Sequence, residues 1–172
     1  MNTPSDLRTA HKAAVLASAD IVSTITVDDL RRPTPLRHMT VQHRGFAGAY
    51  RAAVDDVLDA FAADGVLEAT FALAEFGADA SLPGATAIGF HFVDYVVHGW
   101  DAARSIDTPF ALPDDVIVAA VPIALRVPDG DFRAVEGSPF ARALDEVDGE
   151  RDIDRILRHL GRAPDWAPTV VA

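Results

Sequence analysis

From Gly84 to about Ile106 the chain reads GATAIGFHFVDYVVHGWDAARSI, a stretch with no proline and dense in Phe, Val, Ile and Trp. A run of this length and period is a helix, and most of its circumference is apolar. Phe90, Phe92, Val93, Val96, Val97 and Trp100 spread over the greater part of it. Such a helix needs neighbours on several sides, so it belongs at the centre of a helical assembly. Its polar residues do not scatter. At about 100° per residue, with His91 at 0°, His98 falls at about −20°, Asp94 at about −60° and Asp101 at about −80°. Four titratable side chains therefore share one narrow face of a buried element, where polar groups are costly unless paired or metal-bound.

The rest of the chain supplies the neighbours. Residues 5–25 are predicted as a first helix, with Ser5 or Asp6 as N-cap. Pro33 and Pro35 break the pattern after it. Residues 36–49 are helix-compatible, with Gly45 and Gly48 weakening the run, and residues 50–65 form a stronger helix. Its apolar positions are Tyr50, Val54, Val57, Leu58 and Phe61, and Gly65 is read as the C-cap. The pattern leaves open whether 36–64 is one helix or two. Residues 66–77 alternate weakly and read as a short extended segment, and ADASLPGAT reads as a loop. Residues 113–127 form a helix with Pro113 at its start and Pro122 as a kink. Residues 150–161 form an amphipathic helix with Ile153, Ile156, Leu157 and Leu160 on one face and Gly161 as its stop. The tail from Arg162 is read as extended. Four or five helices with one short strand region predict an all-α bundle, a single domain over residues 1–172.

Composition removes several function classes. The formal net charge of −11 gives no basic patch for nucleic acid or for an anionic membrane surface. No apolar run reaches membrane-spanning length, and the N-terminus lacks a basic start followed by an apolar core, so a cytoplasmic location is expected. The absence of cysteine excludes disulfides, thiolate metal ligands and a cysteine nucleophile. Any thiol chemistry would need a thiol carried by a small molecule. Lys12 is the only lysine against many arginines, alongside abundant Ala, Asp and Val, the codon usage of a high-G+C bacterium.

Asp94 and His98 stand at i and i+4, where side chains meet on a helix surface. Imidazole with carboxylate suits zinc, nickel or non-haem iron. A D-x-x-x-H pair also arises in helices as a solvated or hydrogen-bonded pair, so a metal site requires a third ligand from another element. The candidates are His11, His38, His43 and His159. His38 and His43 point about 140° apart on one helix, so only one of them can face a given ion. Periodicity does not choose between them. His11 reads as a surface histidine, and His159, between Arg158 and Arg162, as exposed or helix-capping.

Two stretches carry a resemblance. LRHMTVQHRGFA (36–47) and TAIGFHFVDYVVHGWDAA (86–103) resemble the DinB-like metal-binding superfamily, in the branch related to the N-terminal domain of mycothiol-dependent maleylpyruvate isomerase. In that branch a helix 2 histidine follows a P-T-P-C-x-x-W run, and a carboxylate and a histidine four apart come from a later helix ending in a D-x-V-V-H-x-W-D-like motif. Here R-P-T-P is residues 32–35. The resemblance implies His38 as the helix 2 ligand and Asp94 and His98 as the later pair. It extends over most of the chain, to ILRHLGRAPDW. Three departures accompany it: no Cys-x-x-Trp follows P-T-P, the stretch between about Ala49 and Tyr50 is short, and Asp94 replaces the glutamate of the isomerase. The isomerase's separate C-terminal domain has no counterpart in these residues.

The resemblance implies a DinB-like four-helix bundle with extra C-terminal helices. It also implies a divalent metal, zinc or nickel, held by His38, Asp94 and His98 with coordination positions left open. An open position marks a catalytic rather than a structural ion. The cosubstrate it implies is a small thiol such as mycothiol, in transferase or isomerase chemistry on a small-molecule substrate. His91, one turn before Asp94, and Asp101 are candidates to orient a ligand or meet the substrate. Two other readings stand beside this one. The same triad could hold metal or a small molecule without catalysis, or the stripe could be an internal hydrogen-bond network in a helical interaction domain. Pairing of two bundles through a helix face would give a homodimer.

Overall fold

The computed structural model describes residues 6–35, 46–72, 81–135, 138 and 140–168. Among the described residues the chain is mainly helical, with one small sheet. The helices are α1 (Arg8–Thr24), α2 (Phe46–Ala62), α3 (Gly84–Ser105), α4 (Asp114–Ala124) and α5 (Asp152–His159), with single 3-10 turns at Asp28–Arg31 and Asp131–Ala134. Strands β1 (Thr70–Ala72) and β2 (Ser81–Pro83) pair antiparallel, with Phe71 opposite Leu82.

The central helix sits where its composition requires. Phe92, Val93, Val96 and Val97 of α3 are buried in one cluster with Ala14 of α1, Val116, Ala120 and Ala124 of α4, and Ile156 and Leu160 of α5. Val15 and Ala19 of α1 meet Val54 of α2, so α2 packs chiefly on α1. A third cluster of Phe61, Val66 and Ile88 closes the end near the sheet. Val54 and Phe61 are the buried members of the predicted α2 face, while Val57 and Leu58 are half-buried. Of the predicted α5 face, Ile156, Leu157 and Leu160 at the helix end are fully buried, and Ile153 is half-buried.

Several boundaries differ from the sequence expectation. At the start of α1 the cap position is Leu7, yet the Asp6 carboxylate accepts the Arg8 backbone N–H at 3.0 Å. It thus satisfies a donor that the first turn leaves without an intrahelical partner. Ser5 and residues 36–45, with the helix-compatible run and both His38 and His43, lie outside the described residues. Helix α2 ends at Ala62, and Gly65 lies in the turns beyond it rather than at its cap. The expected loop ADASLPGAT contains β2 and runs straight into α3 at Gly84. Helix α4 is shorter than read. Pro122 falls in its last turn and the helix stops at Ala124.

The C-terminal part is tied down by backbone acceptors. Arg133 is 4% exposed and donates to the carbonyls of Val127, Pro128, Ala141 and His159. His159 is half-buried, with Nε2 2.9 Å from the Val127 carbonyl, which makes it a structural contact and not an exposed side chain. Helix α5 ends in a Schellman motif, in which the N–H of Gly161 reaches the Arg158 carbonyl at 3.0 Å and that of Arg162 the Leu157 carbonyl at 2.8 Å. Gly161 takes the left-handed turn this motif needs, at φ +80°. The reversal sends Arg162 back towards α3.

Candidate metal centre on the central helix

The four polar residues of α3 do share a face, but their environments differ. Asp94 is 54% exposed at its side chain and His98 33%, whereas Asp101 is only 7% exposed. Asp94 thus faces solvent, against the expectation of a buried carboxylate. Along the stripe Asp94 is exposed, His91 and His98 are half-buried and Asp101 is buried.

His98 is held from below. Its Nδ1 stands 3.2 Å from Asp101 Oδ2. The same oxygen accepts from Arg162 Nη2 at 2.9 Å, and Arg162 Nε lies 3.4 Å from Oδ1. A carboxylate paired with an arginine is an acceptor only, so His98 Nδ1 carries the proton and donates. The free lone pair of His98 is then on Nε2, which lies 3.9 Å from Asp94 Oδ1. Two donors sharing an ion at bond lengths of ~2.1 Å stand roughly 3–4 Å apart. This fits the histidine–carboxylate set, with a second carboxylate behind the histidine as metal sites commonly provide.

The described residues alone do not complete such a site. Among them, no group of three His, Asp or Glu side chains is placed to hold a metal ion. His38 and His43, the candidates for the third ligand, lie outside the described residues.

His91 is engaged elsewhere. Its Nδ1 is 2.9 Å from Nε2 of His11, which reaches over from α1. His11 is 1% exposed, so the expectation of a surface histidine is wrong. The first turns of α1 face α3, and the residue that reads as surface by sequence points into the helix interface. Rings pack around the pair: Phe61 stands 5.1 Å from His11 and 5.4 Å from His91, and Tyr95 4.8 Å from His91. Burial pushes His11 down from 6.5 to about 4, and the neighbouring His91 adds to the shift. Burial also lowers His91, against an opposing pull from Asp94. Both rings are therefore neutral near pH 7, and one donates to the other. Tyr50 of α2 hydrogen-bonds Tyr95, and burial raises both phenols.

Comparison with known proteins finds uncharacterized mycobacterial relatives. The chain is 27% identical over 182 aligned residues to the uncharacterized protein Rv0738 of Mycobacterium tuberculosis strain ATCC 25618 / H37Rv, covering 89% of this chain and 96% of the relative. The uncharacterized protein MT0763 of strain CDC 1551 / Oshkosh matches to the same extent. No family model matches the chain, and no solved structure matches it.

Sequence reading placed Asp94, His98, His91 and Asp101 together and missed two partners. His11 was among the histidines considered but carried no local mark of burial. Arg162 reads by sequence only as the start of an extended tail. The only signal for it was its position directly after Gly161, where a Schellman reversal returns the chain to the core.

Proposed function

We propose that this is a DinB-like divalent-metal protein in which Asp94 and His98, with His38 as third ligand, hold zinc or nickel. We further propose that it uses a small thiol such as mycothiol to transform a small-molecule substrate, as a thiol transferase or isomerase. One observation carries the metal reading: His98 is fixed through Nδ1, so that its Nε2 lone pair faces Asp94 at 3.9 Å on the solvent-open side of α3. When bound, such an ion supplies Lewis acidity that lowers the pKa of a coordinated thiol or water. The chain's own residues do the rest. Asp94 and His98 bind from one helix, which fixes their mutual spacing. Asp101 orients His98. His91, neutral near pH 7 and one turn from Asp94, places a half-buried ring at the site's edge. The lack of cysteine in the chain matches a thiol that arrives with a cosubstrate.

Metal analysis of tag-free protein tests this reading. Stoichiometric zinc or nickel is expected in the wild type, with loss in His98→Ala and Asp94→Ala. Loss in His38→Ala but not in His43→Ala would identify the third ligand. Wild-type protein without bound metal, or unchanged content in His98→Ala, would end the proposal. A large stability loss with chelator, combined with no thiol-dependent reaction, would favour a non-catalytic metal protein.

A further inference from the structure

The buried end of the network raises a question that the metal reading does not answer. Arg162 is 0% exposed and Asp101 5%. Taking a charged pair out of water costs more than an apolar pair of similar volume, so a buried ion pair is weak evidence of a stability role. This pair is connected outward. Asp101 Oδ2 takes the Arg162 Nη2 hydrogen bond at 2.9 Å and the His98 Nδ1 hydrogen bond at 3.2 Å. The guanidinium is itself fixed, because Nη1 donates to the Leu160 carbonyl at 2.7 Å and the group stacks over Phe140 at 5.5 Å. The Schellman turn at Gly161 aims the side chain, since the Arg162 N–H is spent on Leu157.

We infer that Arg162 is a positioning residue for His98: through Asp101 it selects the Nδ1–H tautomer and leaves Nε2 as the free donor at the candidate metal centre. The inference rests on the reading of His98 as a ligand for its purpose, but the tautomer is a property of the protein alone. Histidine in water favours the opposite tautomer, with the proton on Nε2, which would block coordination through that atom. Asp101 supplies the acceptor that reverses the preference, and Arg162 holds that acceptor in one orientation. The turn after α5 thus supports the α3 pair from behind His98. Without its arginine the Asp101 carboxylate would be free to rotate away from the ring.

Nitrogen-15 NMR of the histidine rings, on the metal-free full chain near neutral pH, reads the tautomer directly. The wild type is expected to show His98 protonated on Nδ1. Arg162→Gln is expected to move it towards Nε2–H and to weaken Zn²⁺ binding, measured by competition with a chelating dye, by ~10–100-fold. Arg162→Lys keeps the charge but loses the fork, and is expected to recover part of that affinity. If Arg162→Gln does not fold, the wild-type spectrum still decides: His98 protonated on Nε2 overturns the inference. Unchanged tautomer and unchanged Zn²⁺ affinity in folded Arg162→Gln overturn it as well. A wild type that shows Nδ1–H at His98 but binds no Zn²⁺ ends the metal reading and supports the inference about Arg162.

Discussion

Acid should destabilise this fold through His11 in a way that a single substitution removes. The ring takes up a proton near 6.5 when exposed and only near about 4 in the folded protein. Between those values the unfolded chain binds more protons than the folded one, so stability is full above 6.5 and falls as the pH drops towards 4. The separation of about 2.5 pH units, at ~1.4 kcal/mol each, amounts to ~3 kcal/mol once pH 4 is reached and ~2 kcal/mol at about pH 5. That is a large part of the 5–15 kcal/mol that typically separates folded from unfolded. His11→Gln keeps a polar group near the position of Nε2 and does not titrate. Urea denaturation of both proteins at about pH 7.5 and about pH 5 would measure the difference. The variant should be less stable at the higher pH by ~1–3 kcal/mol, for the lost hydrogen bond to His91 and the lost ring packing. Its deficit should shrink by ~2 kcal/mol at the lower pH. His91, also lowered by burial, adds a loss common to both chains. Parallel stability curves for the two proteins, or a His11 ring that titrates near 6.5 by NMR, would refute the argument.

Three further outcomes follow from the packing. Gly99→Ala should cost ~1–3 kcal/mol in chemical denaturation, because the added Cβ would stand 2.3 Å from Ser18 Oγ and 2.7 Å from the Phe110 ring where α1 crosses α3. Gly161→Ala places a Cβ 2.6 Å from the Ala141 carbonyl at a φ of +80°, and should lower the unfolding midpoint by the equivalent of ~1–2 kcal/mol or more. Phe92→Ala, at a side chain with 0% exposure in the main core, should cost ~3–5 kcal/mol in the same assay.

The central helix and the face that carries its polar residues are legible in the residues alone. The reason is local: the helical period fixes directions along one element, so His91, Asp94, His98 and Asp101 could be grouped before any neighbour was known. The apolar faces of α2 and α5, and the stop at Gly161, were legible for the same reason. Small pairings between short segments were not. Strand β2 reads as a loop because three residues around Leu82 become a strand only by pairing with β1. What each polar residue does was decided by tertiary structure. Asp101 and Asp94 lie on the same stripe with the same chemistry, yet one is buried under Arg162 and the other faces water. His11 and His91 are 80 positions apart and Arg162 and Asp101 61 apart, so no periodicity links them. Those pairings arise from the packing of α1 and the α5 turn against α3, which residues distant in the chain reach only in the folded state.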